Sequence, residues 1–279
     1  MTDRREAVSV NLARMLRVLY DESAKHGTYH PPPLFLKPYF PHVNFVANWR
    51  DPTPRIKLLE SRIRALPQRE GVTFVELGSN TGGQLLELSR LFPSHSFIGL
   101  ELNTKHASFT REVARIAELR NVEVLEGSFS PERAAQIWPG AVFLDFNVAH
   151  HLGVDFEFAG VRDSSSWRER GLAKWLEPVA KFSEYWFSVG YRLGGDKRRE
   201  LHPPHDPEGF IHLVKSQLPD REEFDVVIYF AEKMGEELEF VELTRSQVGE
   251  VNRDRKERAS RLEFIGEYFA RPIFRFSEA

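Results

Sequence analysis

Glu76, Gly78, Asn80 and Gly82 alternate through the run FVELGSNTGG, which starts at Phe74 and leads into Gln84-Leu85-Leu86-Glu87-Leu88. An apolar segment ending in a carboxylate, then glycines, then an amphipathic period reads as a strand, a tight turn and a helix. Glycine adopts positive φ and lets a ligand approach the backbone closely, and Asn is the residue with a side chain that best tolerates the left-handed region. The amides that open the following helix make a slightly electropositive cradle. Rossmann-type folds hold a nucleotide-like ligand against such a turn. The spacing is not the G-x-G-x-x-G of dehydrogenases.

A second apolar run, Ser96-Phe97-Ile98-Gly99-Leu100, ends in Glu101, twenty-five positions after Glu76. A carboxylate at the end of the second strand of a βαβ unit is placed to accept both hydroxyl protons of a ribose. A further run, Ala141-Val142-Phe143-Leu144, ends in Asp145 and continues as Phe146-Asn147-Val148-Ala149-His150-His151. Ligands of open α/β sheets sit beyond the carboxyl ends of the strands. An imidazole with a near-neutral pKa suits proton removal at that place. His151, then His150 and Asp145, are the candidate catalytic groups, as base or as orienters of an acceptor. The alternative for each imidazole is a satisfied core or capping His at a strand-to-loop junction.

The Glu-x-Gly-x-Asn-x-Gly pattern resembles motif I of the class I S-adenosylmethionine-dependent methyltransferases, usually Asp/Glu-x-Gly-x-Gly-x-Gly, with Asn80 at the middle glycine. The resemblance covers residues 72 to about 245. It implies S-adenosylmethionine as cofactor and methyl transfer as the activity. Gly78, Ser79 and Gly82 are then expected along the methionine part of the ligand, with Glu76 and Asn80 completing the turn, and Glu101 on the ribose. Ser128 and Phe129, after Val122-Glu123-Val124-Leu125-Glu126-Gly127, are expected beside the adenine, with Ser128 where the family more often has Asp. Many members carry a Glu-His or His-His pair where this chain has His150 and His151. They also often open that strand with Asp, and here the place is held by Ala141. The expected acceptor is a small polar molecule, sugar-linked or another metabolite. The same fold acting on RNA (tRNA) is the alternative enzyme. A non-catalytic nucleoside-binding protein is the alternative of a different class.

The elements that must position these groups alternate. Strands are expected at 72–77, 96–101, 122–126, 141–145 and 184–191, with helices at 82–91, 104–119, 131–137, 167–182 and 207–218 between or after them. Strands 224–232 and 238–244 follow as a pair. Such alternation predicts a doubly wound, seven-stranded, mostly parallel Rossmann-like sheet with right-handed crossovers. The antiparallel last strand is what the resemblance adds. Residues 1–70 read as an N-terminal extension: a helix over 5–25, a Pro- and aromatic-rich strap or lid over 27–54 with Trp49-Arg50 as a candidate lid contact, and a helix over 55–66. Residues 71–246 are the expected catalytic domain, and 247–279 a charged helix over 247–269 followed by a terminal strand or strap at 272–276.

Composition sets outer bounds. The 279 residues are 41% hydrophobic and 28% charged, ordinary for a globular protein with a large core. A net charge of -3 does not imply a strongly basic nucleic-acid groove, so a small-molecule partner is expected and nucleic acid is not favoured. With no Cys, disulfides, thiolate metal sites and a Cys nucleophile are excluded. No run approaches a membrane span or a signal peptide, and the expected location is cytoplasmic. The sequence leaves oligomeric state open.

Two side-chain groups have more than one reading. His202 and His205 with Asp145, Asp196 and Asp206 are metal-type residues, but His-Pro-Pro-His in a loop is a poor ligand frame, and no metal is expected. Lys197-Arg198-Arg199, after Gly194-Gly195, can grip a phosphate or carboxylate of an acceptor, or can be a solvated loop.

Overall fold

The computed structural model describes residues 14, 33–39, 52–67, 70–204, 206–219, 224–234, 237–244 and 271–278. The expected helix over 5–25, the Trp49-Arg50 contact, most of the Pro-rich strap, His205 and the helix over 247–269 lie outside the described residues. The chain divides into two compact units, Met1–Phe129 and Ser130–Ala279.

In the first unit a helix, α1 (Thr53–Ala65), precedes β1 (Thr73–Leu77), α2 (Gly83–Leu91), β2 (Ser96–Glu101), α3 (Thr104–Ile116) and β3 (Val122–Glu126). β1, β2 and β3 pair in parallel, with Glu76 opposite Gly99 and Glu101 opposite Glu126. β1 and β2 are apolar and buried along almost their whole length, as parallel strands covered on both faces must be. Phe74 and Phe97 stack at 5.0 Å between ring centroids. Helix α3 starts where Asn103 accepts hydrogen bonds from the Lys105 and His106 amides at 2.9 and 3.4 Å.

The second unit contains α4 (Pro131–Ile137), β4 (Val142–Phe146) and a one-turn 3-10 segment, Ala149–His151. A helical run follows: Ser164–Ser166, a π-helical Trp167–Gly171, Leu172–Leu176 and a 3-10 Glu177–Lys181. The periodicity predicts one helix over 167–182; it is instead made of these differently wound pieces, with Pro178 unable to donate near its end. Then come β5 (Glu184–Ser188), α5 (Pro207–Ser216), the β6 (Phe224–Met234) and β7 (Glu237–Leu243) pair, and β8 (Ile273–Glu278). β4 and β5 are parallel, while β8 pairs antiparallel with both β5 and β6.

The strands follow the order β3-β2-β1-β4-β5-β8-β6-β7 in an α/β, Rossmann-like sheet. It has eight strands rather than the seven expected, because the terminal segment enters it. Ile273, Phe274 and Phe276 are buried, and Arg275 is matched on the other side of the strand by Glu184, 3.4 Å away. The second Glu184 oxygen accepts from the Trp186 indole at 2.9 Å. A buried carboxylate with two such donors holds the guanidinium that would otherwise keep this strand out of the interior.

Candidate functional site

The first unit carries the glycine turn. Gly78, Asn80 and Gly82 have φ of 68, 52 and 72°, so the three alternate residues all take the left-handed conformation. The Gly78 and Ser79 amides donate to the Leu100 carbonyl at 2.8 and 3.2 Å, tying the turn to the end of β2. Helix α3 backs it: Thr110 Oγ1 donates to the Asn80 carbonyl at 3.1 Å, and a Cβ on Gly82 would lie 2.5 Å from Thr110 Cγ2. Gly99 is needed for the same reason, since a Cβ there would meet Ser79 Oγ at 2.7 Å and Leu85 Cδ2 at 2.8 Å.

Two buried carboxyls flank this turn. Glu101 Oε2 accepts from the Asn80 amide and Oε1 from the Asn103 amide, both at 2.7 Å. Burial raises the Glu101 pKa, and these backbone donors oppose the rise. Glu76 Oε1 accepts from Gln84 Nε2 at 3.0 Å, while its buried Oε2 has no hydrogen-bond partner among the described residues. Burial pushes the Glu76 carboxyl up to about 8; the Arg55 guanidinium pulls it down and Glu101 pushes it further up. Ser128 is exposed and Phe129 half-buried, both following Gly127, whose amide donates to the Glu101 carbonyl at 3.0 Å.

Two residues here carry no signal in the sequence reading. Leu102, directly after Glu101, is 51% exposed, which is unusual for a large apolar side chain beside a carboxylate. His106 is buried, with Nδ1 4.0 Å from Glu101 Oε1. Its place one turn into α3 puts it on the same face as Thr110.

The second unit carries Asp145, His150 and His151, and the three differ sharply in environment. Asp145 is wholly buried: its Oδ2 accepts from the Trp175 indole at 2.5 Å and the Tyr185 hydroxyl at 2.9 Å. Burial pushes its carboxyl up to about 7 and, with the neighbouring acid, the Tyr185 phenol well above its usual range. Asp145 has no exposed atom, and its Oδ1 has no hydrogen-bond partner among the described residues. His150 is also buried; its Nδ1 accepts from the Gly190 amide at 3.3 Å, and a Cβ at 190 would lie 2.9 Å from the ring.

His151 is half-buried and faces outward. Its ring sits on that of His150 at 4.1 Å between centroids, and its Nδ1 lies 2.5 Å from Asp155 Oδ2. The tight turn after it makes this pair: the Asp155 amide donates to the His151 carbonyl at 3.0 Å, and Gly153, at φ 70°, has Val161 O where a Cβ would be. A carboxylate this close favours the imidazolium, and a neutral ring that keeps its proton on Nδ1 has its basic lone pair on Nε2. Asp155 was legible only as an acid four positions after His151. The turn is clamped from behind as well, because the Trp167 indole donates to the Ala149 carbonyl at 2.7 Å.

Among the described residues no group of three or more metal-type side chains comes together, and no helix is long and apolar enough to cross a membrane. His202 bonds Asp206 instead, with Nε2 2.8 Å from its carbonyl and 3.4 Å from its Oδ2. Lys197-Arg198-Arg199 is divided: Arg198 pairs with Asp196 at 3.0 Å, and Arg199 donates to the Arg162 carbonyl at 2.8 Å.

No protein-family model and no curated protein matches the chain. Solved structures do match in fold. One of WbdD, described as a bifunctional kinase-methyltransferase, aligns over 86% of this chain and 38% of its own, with 12% identity and a TM-score of 0.51. The small RNA methyltransferase HEN1 aligns over 81% of this chain and 25% of its own, with 13% identity and a TM-score of 0.50. This chain thus spans less than half the length of either protein. The shared feature is the class I S-adenosylmethionine-dependent methyltransferase fold.

Proposed function

From a chain with the class I methyltransferase fold, we propose that it transfers a methyl group from S-adenosylmethionine to a small polar acceptor, sugar-linked or another metabolite. The observation that carries this reading is the left-handed turn at Gly78, Asn80 and Gly82, closed by Glu101. Its residues fit the donor on two counts. Each Glu101 oxygen accepts one backbone amide and so keeps one lone pair for a ribose hydroxyl. Glu76 Oε2, buried with no hydrogen-bond partner among the described residues, could take an ammonium group, whose charge would favour the ionised carboxyl that burial disfavours.

S-adenosylmethionine supplies, when bound, a methyl group already activated on a sulfonium. The remaining work belongs to the protein: holding the acceptor in line, excluding water and taking a proton where one must leave. Gly78, Ser79 and Gly82 would line the methionine portion, Glu101 would orient the ribose, and Leu102, Ser128 and Phe129 would border the adenine. His151 would accept the acceptor proton at Nε2, Asp155 would hold Nδ1 and stabilise the imidazolium, and His150 would carry the ring from beneath.

Titration calorimetry with S-adenosylmethionine and S-adenosylhomocysteine tests the donor half. A metabolite screen with methyl-labelled donor tests transfer. Absence of binding to either compound in folded protein removes the proposal.

A further inference from the structure

The turn bearing His151 is flanked on two sides by cationic chain segments. The 3-10 turn Leu193–Gly195 packs against Ala149–His151, and a Cβ on Gly194 would lie 2.8 Å from Val154 Cγ1. Trp167 reaches the same turn from the other segment through the Ala149 carbonyl. Residues 160–171 and 191–201 together hold seven Arg and Lys against four Asp and Glu, an excess of cations in a chain whose net charge is -3.

Local bonds account for some of these groups and leave others. Arg168 donates to the Leu201 carbonyl at 3.0 Å and Arg170 to the Gly160 carbonyl at 3.3 Å. Asp196 holds Arg198 by backbone and side chain, and Asp163 caps the Ser164–Ser166 turn. Arg162 and Lys197 are exposed, and neither side chain has a hydrogen-bond or ion-pair partner among the described residues. Arg199 Nη2 donates to the backbone carbonyl of Arg162, which brings its guanidinium to the 162 segment across 37 residues of chain. After the hydrogen bonds that Asp163 and Asp196 accept from Ser166 and Arg198, the Arg199 charge also lowers both carboxyls.

The loop itself is rigidly built. Leu193 N–H donates to the Arg199 carbonyl at 2.8 Å, Arg199 N–H to the Asp196 carbonyl at 3.0 Å, and Leu201 N–H to the Tyr191 carbonyl at 2.8 Å. An isolated antiparallel β-bridge of the backbone between Arg192 and Glu200 closes its neck. Cations meant only for solubility need no such frame. A pair of Arg residues from separate segments, with a Lys on the same loop, is the donor set that holds a phosphate.

We propose that Arg162, Lys197 and Arg199 form a phosphate-binding site beside His151, and that the acceptor is a small molecule carrying a phosphate. The acceptor role rests on the methyl-transfer reading; the phosphate site does not. Such a site would hold the charged end of the acceptor while its reacting atom lies toward His151 Nε2.

The test uses inorganic pyrophosphate as probe on the full chain, by calorimetry at about 25 and about 250 mM salt, the higher salt screening an exposed site. The Arg162 and Lys197 side chains are exposed, and the hydrogen bonds of Arg162 to Ser166 and Arg199 are made by its backbone, so Arg162→Gln and Lys197→Gln should both fold, as circular dichroism would verify. Pyrophosphate should bind the wild type and weaken roughly tenfold or more in the double variant, as expected for lost charge-assisted bonds. S-adenosylhomocysteine affinity should stay the same in both proteins. Wild type that ignores pyrophosphate, or a double variant that binds it equally well, would overturn the site. Binding of a single-stranded oligoribonucleotide without binding of pyrophosphate would also overturn it, in favour of an RNA surface. Pyrophosphate binding with no S-adenosylhomocysteine binding would keep the site and remove the methyl-transfer reading instead.

Discussion

The backbone amide of Asn80 donates to Glu101 Oε2 at 2.7 Å, so the carboxylate assigned to the ligand also closes the turn assigned to the ligand. Glu101 therefore has two tasks that a substitution separates. Glu101→Ala should cost donor affinity about 2–4 kcal/mol, the worth of two charge-assisted hydrogen bonds. Glu101→Gln keeps an acceptor for one amide but sets its own NH₂ against either the other amide or the ribose, so affinity should fall nearly as far. Calorimetry with S-adenosylhomocysteine on both folded variants decides. Unchanged affinity in either would remove Glu101 from the donor site.

Gly99 offers a cleaner probe of the turn, because its own backbone carries no left-handed strain. In Gly99→Ala the new methyl meets Ser79 Oγ at 2.7 Å and must push the turn toward the ligand side or displace Leu85. Donor affinity should fall and the melting temperature with it. Ser79→Gly removes the nearer obstacle, so the double variant should regain much of the lost melting temperature. A double variant no better than Gly99→Ala would mean that Leu85, not the turn, takes the displacement.

Sequence alone made the first unit legible because its chemistry is local. Gly78, Asn80 and Gly82 need positive φ within five residues, and Glu101 lies at the end of the next strand, so spacing carries the arrangement. The strand alternation was equally readable. The terminal segment at 272–276 read as a strand or strap, but its place in the sheet did not, since Arg275 finds its partner only in Glu184, 91 residues earlier. Asp145 read as a site residue because it ends a strand; Trp175 and Tyr185, which bury it, come from elements 30 and 40 residues away. His150 and His151 read as a pair and differ through Gly190 and Asp155, contacts that no spacing rule for adjacent histidines contains.

Asp145 gives a prediction on stability. Its folded carboxyl lies at about 7 against an unfolded value of 3.8, so the folded chain binds the extra proton between those limits. The stability from this group is present below about pH 4 and is lost as pH rises through 7. Glu76, pushed up to about 8, acts with the same sign from 4.5 upward. Asp145→Asn keeps an acceptor for Trp175 and Tyr185 and cannot ionise. Denaturant unfolding from pH 4 to 8 should show the variant gaining on the wild type by a few kcal/mol, on the order of the 1.4 kcal/mol per unit that such a shift carries. The residual decline toward pH 8 should belong to Glu76 and vanish in Glu76→Gln. A constant difference between wild type and Asp145→Asn would show that this carboxyl does not titrate in that range.

His151 and Asp155 make the last prediction. If His151 Nε2 takes the acceptor proton, His151→Ala should lower turnover by roughly 10²–10⁴, the usual contribution of a positioned base, with donor affinity intact. The wild-type rate should rise with pH as the imidazole loses its proton, and that limb should disappear in the variant. Asp155→Asn should behave differently. The lost carboxylate no longer stabilises the imidazolium, so the rising limb should move to lower pH while the plateau falls less than in His151→Ala. His150→Ala should lower turnover through a loosened ring and leave the position of the limb where it was, since His150 supports the base without exchanging its proton. The pH-rate profiles of the three variants separate these roles. Full turnover and an unaltered profile in His151→Ala would exclude it as the base and leave the acceptor to arrive already deprotonated.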